Sequence, residues 1–143
     1  MTDRMKLCKS KGFDGAQFDN LDGYYIAITG FPLTAADQLK YNRFLADTAR
    51  KLGLGVALEN DIRQSGEMAQ AYDWAIFETD RDDNSKCLYG TGCHGFDPFV
   101  KAKKAVMVVD YGGFGRFCKI ANRDSFNGIR KHEDLGVWVR YCR

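Results

Sequence analysis

The chain has 143 residues, enough for one ordinary domain with a real core. Its apolar content is 45% and its net charge only +2, which excludes a disordered chain and gives no basic footprint for nucleic acid. No apolar run is long enough to cross a membrane. MTDRMKLCKSKG, residues 1–12, has no apolar h-region, so no signal peptide is visible.

Residues 1–11 read as the end of a helix, stopped by Gly12. Residues 13–18 are a candidate strand, and 19–32 a loop rich in Gly and Tyr. Thr34 is a good N-cap, with Asp37 at N3 beside the helix dipole. The helix it starts runs to about Leu52 and repeats Ala35, Leu39, Asn42, Leu45, Ala46, Ala49 and Leu52 on one face, before Gly53 stops it. GLGVAL, residues 53–58, is a short apolar strand, after which Asp61 can cap a short helix carrying Ile62, Met68 and Ala69. A third unit opens with DWAIF, residues 73–77, and Phe96, Phe99 and Val100 mark a helix around Pro98. KAVMVVDY, residues 104–111, is the clearest strand, and VWVRYC, residues 137–142, reads as a last one. Apolar strands alternating with helices predict a parallel sheet covered on both faces, with right-handed crossovers.

Asp19, Glu59, Glu78 and Asp110 each follow a strand candidate. In a parallel α/β fold all strand C-termini lie on one side, where such folds bind ligands and barrels do chemistry. Clustered carboxylates with little histidine suit glycoside hydrolysis. One group protonates the leaving oxygen, and the other acts as nucleophile or activates water. Burial and crowding can keep one of them protonated near neutral pH. Tyr24, Tyr25, Phe31, Trp74 and Tyr111 are candidates to stack on sugar rings, though core or rim packing is their commoner use. The plain alternative for the acids is that two or more are caps or ion-pair partners. A metal site of two or three carboxylates is the competing chemistry.

Other patterns fall short. G-x-S-x-G is absent, and His132-Glu133 lacks the second His of a zinc-protease motif. GGFGRFC, residues 112–118, misses the third Gly of a dinucleotide fingerprint. Asp80, Asp82 and Asn84 begin like a calcium loop, but Ser85 stands in place of Gly and Thr91 in place of the closing Glu. The five cysteines allow two disulfides and a free thiol, with Cys8 a small buried helix residue and the pairing of Cys87, Cys93, Cys118 and Cys142 open. Zinc on Cys87, Cys93 and His94 is the alternative, on a spacing wider than usual.

Longer stretches carry more. KGFDGAQFDNLDGY, TGFPLTAADQLKYNRFLADTARKLGLGVALENDIRQ, YDWAIFE, PFVKAKKAVMVVDY and the closing WVRYCR resemble glycoside hydrolase family 114 over nearly the whole chain. That family comprises endo-α-1,4-polygalactosaminidase-like enzymes with a TIM-barrel fold. The resemblance implies an α/β fold of (β/α)8 type, hydrolysis of α-1,4 linkages in a galactosamine-containing polysaccharide, and Asp19 and Glu78 as the catalytic pair. Asp19 is expected as nucleophile or charge stabiliser, and Glu78 as acid/base. Asn20, Asp22, Tyr24, Asn60, Asp61, Asp110 and Tyr111 are expected to line the same cleft. The resemblance implies no cofactor and no metal, and its only implied partner is the polysaccharide, not nucleic acid or a membrane. Free amines on the polymer are cationic and would suit an acidic cleft. Secretion, common in the family, fits the disulfide reading.

There are departures. The family has Glu-Pro before the Asp, where this chain has Gln17-Phe18; often Lys at Glu59; Asn at Phe77; and Gln-Cys at Thr79-Asp80. A full barrel needs eight strands and about 250 residues. This chain is expected to be a partial barrel of about five parallel strands with alternating helices. It would match the later part of the family's barrel, with the first three strands missing and residues 1–143 forming one domain. Phe77 and the missing strands leave a second reading open: a non-catalytic carbohydrate-binding remnant of such a barrel.

Overall fold

The computed structural model describes residues 1–25, 29–79, 95–111 and 116–142. The Cys87, Cys93 and His94 loop, the Asp80, Asp82 and Asn84 pattern, and Gly112 to Gly115 lie outside the described residues. Among those described, six strands form one sheet in sequence order. They are β1 (Gly15–Phe18), β2 (Gly55–Glu59), β3 (Trp74–Thr79), β4 (Val106–Asp110), β5 (Asn127–Arg130) and β6 (Arg140–Tyr141). Neighbours from β1 to β5 are parallel, and β6 runs antiparallel to β5. Helices precede or separate the strands: α1 (Thr2–Ser10), α2 (Ala35–Lys51), α3 (Ser65–Met68) after a 3-10 turn at Ile62–Gln64, α4 (Asp97–Lys101) and α5 (Phe117–Arg123). The expected succession of parallel strands and helices therefore forms.

Local chemistry sets these elements. Thr34 caps α2 through a complete capping box with Asp37, which satisfies donors that a helix start otherwise leaves bare. α2 buries Gln38, Asn42, Leu45, Ala46 and Ala49, and it packs on β2. Ala46 and Ala49 are small enough to let the helix lie close to Val56 and Leu58. Lys104 closes the end of the α3 region, its Nζ donating to the carbonyls of Ala69 at 2.7 Å and Tyr72 at 2.6 Å. Phe77, Phe96 and Phe99 stack in sequence between β3 and α4.

Two sequence expectations change. The fifth parallel strand is residues 127–130, not 137–142, where only Arg140–Tyr141 pairs, and antiparallel. Asn-Gly at 127–128 reads as a turn signal. Here Gly128 is needed for packing, because an added Cβ would lie 2.9 Å from Cys142 Sγ and 3.0 Å from Ala121 Cβ. Val137 is fully exposed, and Trp138 rests on the His132 ring with centroids 4.4 Å apart. Second, Asp61 stands at the N-cap of the 3-10 turn without a side-chain capping bond. Its carboxylate is used elsewhere.

Candidate active site

Side chains along a strand alternate between faces, and here that alternation sorts the acids. Val56, Leu58, Ala75, Phe77, Val106 and Val108 point into the helix-covered core. The opposite face carries Gln17, Glu59, Ile76, Glu78, Met107, Val109, Asn127 and Ile129, which with Tyr141 line an open cavity of about 560 Å³. Glu59 and Glu78 sit at the C-terminal ends of adjacent parallel strands, where Glu59 pairs in register with Ile76, two residues before Glu78. Asp19 follows β1 directly and is exposed. Its charge reaches Glu59.

Glu59 is 3% exposed. Gln17 Nε2 donates to its Oε2, and Glu78, on the adjacent strand, lines the same cavity. Burial, with the charges of Asp19 and Glu78 adding to it, pushes Glu59 up to about 7 against the opposing bond from Gln17. Tyr111 lies just past β4, and its hydroxyl donates to Glu78 Oε1 at 2.6 Å. Burial and that bond hold the Tyr111 phenol well above its ordinary range. Glu78 is also held through its backbone, whose N–H donates to Asn60 Oδ1 at 3.0 Å. Asn60 adopts φ 60, a left-handed conformation that Asn tolerates better than most residues. This turn aims its amide back at β3.

A smaller hollow beside these acids is lined by Asp22, Tyr24, Tyr25, Asn60, Asp61, Ile62, Arg63 and Phe77. Asp61 is buried, and its Oδ2 accepts from Asn42 Nδ2 at 2.9 Å while Oδ1 takes a long contact from the Tyr24 hydroxyl at 3.5 Å. Burial, then the Asp22 charge, pushes Asp61 up to about 7. Burial also raises Asp22, with a smaller push from Asp19. Burial and Asp61 raise Tyr24 to about 12. Arg63 places its guanidinium 3.5 Å from the centre of the Tyr25 ring.

The structure thus brings Asp19, Glu59, Glu78 and Tyr111 together at one end of the strands, with Asp22, Tyr24, Asn60 and Asp61 alongside. Asn20 lies apart, lining a separate hollow with Gly23, Leu33 and Tyr41. Asp110 is also apart: it faces the other side of the sheet, 1% exposed, accepting from Thr79 Oγ1 at 2.9 Å and lying 3.4 Å from Arg130 Nε. Trp74 stands at the opposite end of β3 from Glu78, its ring across Gly15 and Gly55. Phe31 is 74% exposed. Sequence reasoning counted Glu59 among the four strand-end acids but gave it no role beside the pair, and it named Gln17 only as a departure from the family. The signal for both was period two, since Gln17 and Asp19, like Glu59 and Ala57, alternate with core residues. Among the described residues, no group of three or more His, Cys, Asp or Glu side chains is disposed to hold a metal ion. No helix among them is long and apolar enough to cross a membrane.

Comparison with known proteins matches the family and the fold. A family model described as glycoside-hydrolase family GH114 matches residues 1–143. Among solved structures, the crystal structure of Aspergillus fumigatus Ega3 in complex with galactosamine superposes with a TM-score of 0.82 at 25% identity. The match covers 99% of this chain and 59% of that one, so the chain spans less than two thirds of that relative's length. No curated protein matches the chain significantly.

Proposed function

Since this chain belongs to glycoside-hydrolase family GH114, we propose that it carries the catalytic face of an enzyme cleaving α-1,4 linkages in a galactosamine-containing polysaccharide. Residues 1–143 are one unit of that barrel. Glu78 is the acid/base that protonates the glycosidic oxygen, and Asp19 is the nucleophile or charge stabiliser facing the developing oxocarbenium. The observation that carries the reading is the meeting of carboxyls from successive parallel strands at one sheet end, with the Tyr111 hydroxyl fixed on Glu78 at 2.6 Å. Ega3, a relative at 25% identity, was crystallised with galactosamine. An amino sugar suits an acidic cleft, and Asp22 and Asp61 line the hollow beside the pair. Asn20 and Asp110, which stand apart from the pair, have no part in this reading. Secretion is supported by the Cys118–Cys142 disulfide, a bond that persists in oxidising compartments.

The test is release of reducing ends from partly deacetylated α-1,4-galactosamine polymer. Glu78→Gln is expected to abolish release, by at least ~100-fold as for loss of a general acid. Unchanged release by that variant would refute the assignment. A second reading, carbohydrate binding without turnover, is favoured by the open sheet: among the described residues β1 pairs only with β2. Calorimetric binding of galactosamine oligomers by wild-type chain that releases no reducing ends would establish it.

A further inference from the structure

Glu78 is held by residues that arrive from the strands on either side of its own. On the β2 side, Asn60 is the first residue past the strand. Its Oδ1 accepts from the Glu78 N–H at 3.0 Å, and its own N–H donates to the Ile76 carbonyl at 3.0 Å. The left-handed backbone of Asn60, at φ 60, thus lets side chain and main chain both pair with β3. On the β4 side, Val109 pairs in register with Glu78. Tyr111, two residues further on, falls on the same face by strand alternation. Its hydroxyl donates to Glu78 Oε1 at 2.6 Å, a length typical of an O–H bond to a charged carboxylate. Burial holds that phenol well above its ordinary range, so it keeps its proton and acts as the donor. The two carboxyl oxygens are therefore not equivalent. Oε1 already takes a short O–H bond, and Oε2 is the better place for the carboxyl's own proton.

We propose that Tyr111 and Asn60 are positioning residues for Glu78: they clamp the acid from both sides, so that the proton given to the glycosidic oxygen leaves from Oε2. This rests on the function proposed above. The Oε2–H bond breaks as a new O–H bond forms on the leaving oxygen, which keeps the electron pair of the broken C–O bond. The carboxylate left behind is stabilised by the Tyr111 hydroxyl, which retains its own proton. The water consumed in hydrolysis gives its hydroxyl to the sugar and its proton back to Glu78, so no other reactant is needed. A carboxyl fixed in this way needs no reorientation before it acts, which is where positioning contributes to rate.

The experiment compares two substrates on the full chain: an α-1,4-galactosamine oligomer, and the dinitrophenyl glycoside of the same oligomer. Dinitrophenolate departs without protonation, so only the first substrate needs a well-placed acid. The quantity read is kcat/KM, which reports the bond-breaking step. Tyr111→Phe should lower it roughly tenfold to a hundredfold for the natural oligomer, with a far smaller loss for the dinitrophenyl substrate. Glu78→Gln should show the same selectivity more strongly. Equal losses on both substrates in Tyr111→Phe overturn the proposal, since a lost sugar contact or a disturbed fold acts on both. Asn60→Gly keeps the left-handed backbone and removes only the Oδ1 acceptor. It should show the same selectivity, and it decides the matter if Tyr111→Phe does not fold. Selectivity in Glu78→Gln with none in either other variant overturns this proposal alone. A Glu78→Gln variant that cleaves the natural oligomer as wild type does overturns the proposed function and this proposal with it.

Discussion

At the scale of single residues, Asp61 shows how the site and its stability are linked. Its carboxylate takes the Asn42 amide at 2.9 Å, and the same amide donates to the Leu21 carbonyl at 2.9 Å. Asn42 in turn accepts from Gln38 Nε2 at 2.8 Å, and its backbone carbonyl takes the Tyr72 hydroxyl at 2.9 Å. A chain of polar groups thus joins the loop after β1, helix α2 and the turn after β2. Burial raises Asp61 from 3.8 to about 7, so the folded protein binds this proton more tightly than the unfolded chain does. The stabilisation is therefore full below the unfolded value and is lost as pH rises towards the folded one. Glu59 acts in the same direction. Asp61→Asn keeps an acceptor for Asn42 and removes the titration. Its melting temperature should fall less steeply than that of wild type between about pH 4 and 7, and parallel melting curves across that range would contradict the linkage. The sequence offered this acid as a cap for the next helix and, through the resemblance, as part of the cleft lining. Burial decides between the two uses, and burial depends on α2 packing across it, a contact remote in sequence.

At the scale of elements, period two explains both what could be read and what could not. β3 was legible as a short apolar run that ends in an acid, and its burial alternates so that Phe77 and Glu78 fall on opposite faces. Phe77 therefore belongs to the aromatic stack with Phe96, where it does not crowd the acid face of the strand. β4 was equally clear, but its acid follows the core parity: Val106, Val108 and Asp110 share a face, and Asp110 ends buried against Thr79 and Arg130. Counting acids at strand ends misses this distinction, and counting by twos finds it. β5 carries no clear strand signal, because its four residues include Asn-Gly, a pair that favours turns. Glycines at strand starts have a comparable reason. A Cβ on Gly55 would lie 2.9 Å from Trp74 Cζ3, and one on Gly15 would lie 2.8 Å from Trp74 Cη2. Both strands leave room for one indole at the end of the sheet away from the acids. Gly55→Ala should destabilise by about 1–3 kcal/mol, the usual cost of overpacking, as read by urea unfolding. Stability equal to wild type would show that the Trp74 ring can move aside.

For the molecule as a whole, the sheet sets the balance between its two faces. One face is closed by helices over a continuous core of aliphatic and phenyl groups, while the other is an open hollow holding the acids. An open sheet needs its last strands secured, because an edge strand has neighbours on only one side. β6 has two residues, too few to hold by backbone pairing alone. The Cys118–Cys142 disulfide supplies the rest, joining α5 to the residue after β6 over a separation of 24 residues. Gly128 of β5 lies directly beneath it, and the Asn122 side chain donates to the Cys142 carbonyl at 3.0 Å. The helix, the strand and the tail are thus fastened at one point. Closing a loop of this size restricts the unfolded chain by about 3 kcal/mol in the chain-entropy account. Replacing both cysteines by serine should lower unfolding free energy by roughly 2–4 kcal/mol. It should also speed hydrogen exchange at β5 and β6 before it affects β2 and β3. Exchange that rises equally across all strands would mean that the bond stabilises the fold globally and does not secure its edge.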